Sequence, residues 1–258
     1  MRRIRFDHIA IAVSRMADAP AFLVGELGGA PAHGGPADVY TFGQWRFKDG
    51  GRLEILEPRG HDGFLHRFLA QRGSGIHHVT FLVPSLREAC DRAGAHGYTI
   101  VGYDDSNAGW QEAFLHPKQA LGIVVQLAAS EPESSDAGRR RWMAPPGPSN
   151  PPPVTVLGLR MRARSRERAE TQWARVLEGE ASLGADGAVI YRWPGSPMRI
   201  VVEIDPARDE GPVAIELESV RALALSAGPH LAMGAVFTAS RKAVLGCPWE
   251  WGPTSADR

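Results

Sequence analysis

The stretch Gly75-Ile76-His77-His78-Val79-Thr80-Phe81-Leu82-Val83 repeats, in histidine position and apolar alternation, the earlier Phe6-Asp7-His8-Ile9-Ala10-Ile11-Ala12-Val13. A period of two makes the first a half-buried strand, with Ile9, Ile11 and Val13 on one face and His8, Ala10 and Ala12 on the other. A chain that builds one histidine-led strand twice is constrained to a duplicated module, and the pair of histidines points to one metal ion between the copies.

The segments after each strand extend the repeat. Ser14 precedes a helical pattern to about Leu27, ended by Gly28-Gly29, and residues 30–38 read as a Gly/Pro-rich turn. Residues 39–42 and 44–47 read as strands, and Gly50-Gly51 marks a hairpin before Arg52-Leu53-Glu54-Ile55-Leu56. A short apolar-patterned segment at 64–69 leads to the second unit, where Ser85 caps a helix ending near Gly97 and strands follow at 98–103, 113–115 and 122–127.

Residues 130–153 turn to Glu, Ser, Arg, Gly and Pro with no apolar period and read as a linker, its Arg139-Arg140-Arg141-Trp142 run a solvated connection. A third unit follows, with strands at 154–163, 188–193 and 198–204 and a helix at 165–177. A shortened fourth opens at 211, with a brief helical stretch at 219–226 and a strand at 233–238. The expected division is a first domain at 1–129, a linker at 130–153, a second domain at 154–240 and an irregular tail at 241–258.

Lys+Arg and Asp+Glu number 29 each, so no charge excess calls for a nucleic-acid partner. Cys90 and Cys247 stand alone, without disulfide or zinc spacing. No apolar run reaches membrane-spanning length, and Met1-Arg2-Arg3-Ile4-Arg5 leads straight into a strand, so a cytoplasmic protein with no membrane partner is expected. Self-association into a homodimer is compatible with the sequence.

An ion held by four strands needs one inward donor from each, and His8, Glu54, His78 and Gln126 have the required parity. His8 and His78 are 70 residues apart, Glu54 and Gln126 72 apart. Two imidazoles, a carboxylate and an amide oxygen suit one divalent ion such as Zn, Co, Ni, Mn or Fe, with Gln126 the weakest donor and equally placed to support a ligand. His77 is expected to face away, with a strand-end hydrogen bond. Setting Ser165 over Ser14 and Ser219 over Ser85 puts Leu159 and Pro212 at the histidine positions and Val202 at that of Glu54, with Glu203 on the opposite face. The second half is therefore expected to be metal-free and to shape a pocket or an interface.

These stretches, together with Glu57-Pro58, Phe68-Leu69-Ala70-Gln71-Arg72-Gly73, Phe114-Leu115-His116-Pro117-Lys118 and Gly122-Ile123-Val124-Val125-Gln126-Leu127, resemble the vicinal oxygen chelate superfamily. Its members include glyoxalase I, extradiol dioxygenases, bleomycin-resistance proteins and methylmalonyl-CoA epimerase, and residues 5–129 are most similar to the epimerase branch. The resemblance implies an α+β fold in which repeated βαβββ modules form incomplete barrels, here two tandem glyoxalase-like domains with the second degenerate. It implies metal positions at His8, Glu54, His78 and Gln126, the last usually glutamate in the epimerases. It also implies Lewis-acid stabilisation of an enolate, with Glu54, Glu112 and His116 as candidate catalytic groups; His116 reads equally as a turn residue.

Three functions stay open. The first is a metal-dependent isomerase, epimerase or lyase stabilising the enolate of a small oxygenated metabolite, an acyl-CoA among the candidates. The second is an Fe(II) ring-cleaving dioxygenase using His8, His78 and Glu54. The third is a non-catalytic binding protein for a drug or natural product, with Trp173, Tyr191 and Trp193 lining an apolar pocket.

Overall fold

The computed structural model describes residues 3–130, 154–220, 223, 225, 229–230 and 233–241. The linker assigned to 130–153 (beyond Ser130), half of the 219–226 helical stretch (221, 222, 224 and 226) and the tail from 242 lie outside the described residues, while Ser219 itself ends a strand.

Strand β1 (Arg5–Ala12) is followed by a 3-10 turn (Met16–Asp18), a π-helical segment (Ala21–Glu26), β2 (Ala30–Pro36), β3 (Tyr40–Arg46) and β4 (Arg52–Pro58). Helix α1 (Phe64–Arg72) then leads to β5 (Gly75–Leu82), α2 (Leu86–Ala95), β6 (Ile100–Asp104), β7 (Gln111–Leu115) and β8 (Val124–Ala129). The eight strands form one sheet in the order β2-β3-β4-β1-β5-β8-β7-β6. Its centre is the antiparallel pair of histidine-led strands, flanked by parallel pairings of β1 with β4 and β5 with β8. The second half runs β9 (Val154–Ala163), α3 (Arg166–Glu170) continuing as π-helical turns (Thr171–Val176), β10 (Glu180–Leu183), β11 (Val189–Arg192), β12 (Arg199–Ile204), β13 (Gly211–Ser219), β14 (Pro229–His230) and β15 (Ala235–Arg241). These strands order as β10-β11-β12-β9-β13-β15-β14, so the chain is an α+β protein of tandem βαβββ modules in two open sheets.

Local chemistry explains where expectation and structure part. Ser85 and Ser165 cap their helices, accepting from the N–H groups of Glu88 at 3.3 Å and Arg168 at 3.2 Å. Ser14 caps nothing: Arg15 precedes the 3-10 turn and Pro20, which has no N–H to donate, precedes the π-helical segment. The supposed turn at 30–38 contains edge strand β2, whose Gly34 lies so close to β3 that an added Cβ would be 2.5 Å from the Phe42 carbonyl oxygen.

The parity of β1 holds. Ile9, Ile11 and Val13 enter the main core, whereas Ala10 and Ala12 make room for Leu65 of α1 and Leu56 on the opposite face. The two halves share that main core. Phe81 stacks on Phe6 at 4.9 Å and meets Trp193 at 4.7 Å and Trp173 at 6.0 Å, and Ser196 donates to the Phe6 carbonyl at 2.7 Å. Trp173, Tyr191 and Trp193 are buried core residues, and Trp173 and Trp193 fasten the halves together through Phe6 and Phe81. Among the described residues no helix is long and apolar enough to cross a membrane.

Strand pairing also corrects the alignment of the halves. Relative to β1 and β4, pairing of β9, β12 and β13 puts Gly158 at the position of His8, Val201 at that of Glu54 and Ala214 at that of His78. Aligning the halves on their serines misplaces these positions because Ser14 caps no helix and Ser219 is the last residue of β13. Glu203 is two residues beyond Val201, hence on the same face, where it joins Asp186 and Glu216 around Arg160 at 3.0, 3.1 and 2.8 Å for Asp186, Glu203 and Glu216 respectively. Gly158 has φ +138°, and an added Cβ would lie 1.9 Å from the Arg199 carbonyl oxygen, so no side chain fits there. Gly158→Ala is expected to destabilise the protein by about 3 kcal/mol, read as a lower urea midpoint. An unchanged midpoint would show that β9 tolerates a side chain at this position.

Candidate metal centre

Each histidine-led strand carries one extra residue just before its histidine. Asp7 is skipped between the pairs Phe6–Phe81 and His8–Thr80, and His77 between Ala10–His78 and Ile11–Ile76. Such a bulge bends the strand and re-aims its side chains. Asp7 Oδ2 consequently lies 3.0 Å from His8 Nδ1, and His77 Nδ1 2.9 Å from His78 Nδ1. The expectation that His77 faces away is therefore wrong: simple alternation does not survive the inserted residue.

Strand β4 sets Glu54 opposite Ala10, and β8 sets Gln126 opposite Thr80, each two residues past the histidine of its module. His8, Glu54 and His78 are buried, with one donor atom from each lying within 4.8 Å of the others. Glu54 Oε1 is 3.5 Å from His8 Nε2 and 3.9 Å from His78 Nε2, while its Oε2 accepts from Gln44 Nε2 at 2.7 Å. Gln126 is buried beside them. Its Oε1 accepts from Thr80 Oγ1 at 2.6 Å, its Nε2 donates to Glu112 Oε2 at 2.7 Å, and Thr80 Oγ1 is 2.9 Å from His8 Nε2. Glu112 Oε2 accepts a second bond, from Trp110 Nε1 at 2.8 Å. His116 is exposed, its Nδ1 accepting the Lys118 N–H at 3.2 Å as a turn residue does.

The two imidazoles differ electrically. Burial, the largest influence, opposes charge on His8, yet Glu54 and Asp7 together outweigh it and raise its pKa to about 9. Burial likewise opposes ionisation of Asp7, but His8, Arg52 and Arg5 hold its carboxyl well below the usual range. His78 is pushed well below its ordinary value by burial and then by His77 and His8, and burial lowers His77 to about 4 against the pull of Glu54.

This arrangement fits a cation. His78 Nε2 is buried with no hydrogen-bond partner among the described residues, a state that costs about 1–3 kcal/mol. A neutral imidazole turned toward a carboxylate and a second imidazole is the donor set of a borderline divalent ion.

The centre opens into a cavity of about 2000 Å³. Tyr40, Phe42, Phe64 and Phe68 give it an apolar wall, and Glu112 lies on another side. Arg164, Asp209 and Glu210 bring the second half to the same cavity. Burial, then the charges of Glu54 and Glu112, raise the Tyr40 phenol, so it stays protonated between the two carboxylates. Sequence reasoning missed Asp7, Gln44, Thr80 and Tyr40 as parts of the site. Only Asp7, adjacent to His8, carried a signal that spacing could show.

Paired βαβββ modules around a histidine and carboxylate cluster define a class, and comparison with known proteins agrees. Residues 7–114 match the Glyoxalase/Bleomycin resistance protein/Dioxygenase superfamily. The chain is 33% identical over 126 residues to the uncharacterized protein YqjC of Bacillus subtilis, covering 90% of that protein and 48% of this chain. It is 31% identical over 134 residues to ethylmalonyl-CoA/methylmalonyl-CoA epimerase of Cereibacter sphaeroides, covering 96% of that protein and 48% of this chain. The chain belongs to this superfamily. A mutant 4-hydroxymandelate synthase from Streptomyces coelicolor is similar in fold alone, with a TM-score of 0.60 and 15% identity over 83% of this chain and 71% of that one. That likeness takes in more of the chain than the first sheet.

Proposed function

We propose that this protein moves a proton at the carbon beside a carbonyl, as an isomerase or epimerase of a small acyl thioester or 2-oxo acid, with a divalent metal held by His8, Glu54 and His78. The observation that carries this is the orphaned His78 Nε2, 3.9 Å from Glu54 Oε1, in a cavity that also holds Glu112. When bound, the metal supplies a Lewis acid that polarises the substrate carbonyl. Gln126 supports the centre by joining Thr80 to Glu112, and its own amide oxygen is available as a fourth donor if Thr80 turns away.

Glu112 is the base in this scheme. Trp110 and Gln126 fix its Oε2, while Oε1 has no hydrogen bond among the described residues and is left for the substrate proton. Glu54 is less suited, since Gln44 pins one oxygen and the other faces both imidazoles. His116 belongs to the rim. There Arg67, Arg72 and Lys118 line the cavity without an ion pair among the described residues, which favours an anionic substrate tail such as that of a CoA ester. The Cereibacter relative, by its name, acts on CoA esters of this kind. Residues 1–129 would carry the chemistry and 154–240 would brace it and complete the rim.

The three donors also match the two-histidine, one-carboxylate face of Fe(II) oxygenases, which keeps that reaction as a second reading. One experiment separates them: metal analysis of protein purified without added ions, followed by deuterium exchange on a panel of acyl-CoA esters and 2-oxo acids. Exchange that stops on chelation is the expected result. Oxygen consumption by the Fe(II) protein without exchange would favour the oxygenase, and tight ligand binding with neither would make the protein a binder.

A further inference from the structure

We infer that His77 is a positioning residue for the metal centre, holding His78 through Nδ1 as Asp7 holds His8; this rests on His8, Glu54 and His78 being the ligands. An imidazole that gives Nε2 to a metal keeps its only proton on Nδ1 and needs an acceptor there to fix the ring. In β1 the acceptor is the bulge residue Asp7, at 3.0 Å, itself fixed by Arg5 at 2.9 Å and Arg52 at 3.2 Å. In β5 the bulge residue is His77, and its Nδ1 is 2.9 Å from His78 Nδ1. The same backbone device thus delivers a partner to each histidine, but the second partner is a neutral ring and not a carboxylate.

His77 is itself held by α1. Its ring meets Phe68 edge-on at 4.9 Å and Phe64 at 5.5 Å. A chain of contacts therefore runs from the helix that covers the cavity face, through His77, to the ring whose Nε2 is buried and unpartnered. Neither of the usual supports of a ligating histidine, a carboxylate or a backbone carbonyl, is recorded at His78 Nδ1 among the described residues, so His77 takes that role.

The test is titration of metal-free full-length protein with Co(II), reading affinity by competition and ligand geometry from the visible d–d bands. His77→Ala is expected to weaken binding about 10–100-fold and to shift the bands. His77→Gln, whose Oε1 can accept the Nδ1 proton, is expected to restore binding to within about threefold of wild type. Melting of the metal-free variants separates a positioning role from loss of packing against Phe64 and Phe68. Wild-type affinity and spectrum in His77→Ala would overturn the inference, as would equal losses in the Ala and Gln variants. If wild-type protein takes up no cobalt, the metal centre falls and this inference with it, a failure visible before any variant is made.

Discussion

Glu54→Gln is expected to lower divalent-metal affinity by at least about 10³-fold, the largest loss from any single substitution in the chain. Glu54 is the anionic member of the three-donor set, and Oε1 faces both imidazoles at 3.5 and 3.9 Å. Each unit charge pair at about 4 Å is worth roughly 4 kcal/mol at an effective dielectric of about 20, and about 1.4 kcal/mol is tenfold in binding. Losing one negative charge beside a divalent ion therefore removes three decades or more. Glutamine keeps the shape and can still meet Gln44, so the fold should persist and the loss can be assigned to charge. Competition against a chromophoric chelator would measure it, with His8→Ala and His78→Ala as companions. Retention of affinity within tenfold would place the ion elsewhere.

How much of this was legible beforehand depended on which physical rule governed each residue. The histidine-led strands were readable because period-two alternation is a local property, and β1 and β5 put Ile9, Ile11 and Val79 into the core as the pattern requires. Strand β2 was not, because its Gly and Pro residues mimic a turn and only the close approach of Gly34 to Phe42 reveals the pairing. Gln44 and Thr80 were invisible for another reason. Each matters through a cross-strand neighbour, Glu54 or Gln126, and register between strands is set by bulges and loop lengths that spacing along one strand does not report. The same blindness misplaced His77 and shifted the second half's alignment, where Gly158 and not Leu159 stands at the histidine position. His8, Glu54 and His78 nevertheless come together as one buried cluster, because each lies on the face that meets the others.

Glu112→Gln is expected to reduce deuterium exchange at the acidic carbon of a responsive substrate by about 10²–10⁴-fold while leaving metal affinity nearly unchanged. The split is the informative part. Glu112 lies in the cavity wall and is tied to the centre through Gln126 and Thr80, so removing its charge should spare the ion, whereas Glu54→Gln should lose ion and exchange together. The amide can still accept from Trp110 and Gln126 through its oxygen, so the geometry at the wall is kept and what disappears is the capacity to take a proton. Exchange and metal content measured on the same preparation decide the matter. If exchange persists at the wild-type rate, Glu112 is only a hydrogen-bonding support for Gln126, and the base has to be sought among the other groups of the cavity, with His116 at its rim the next to be changed.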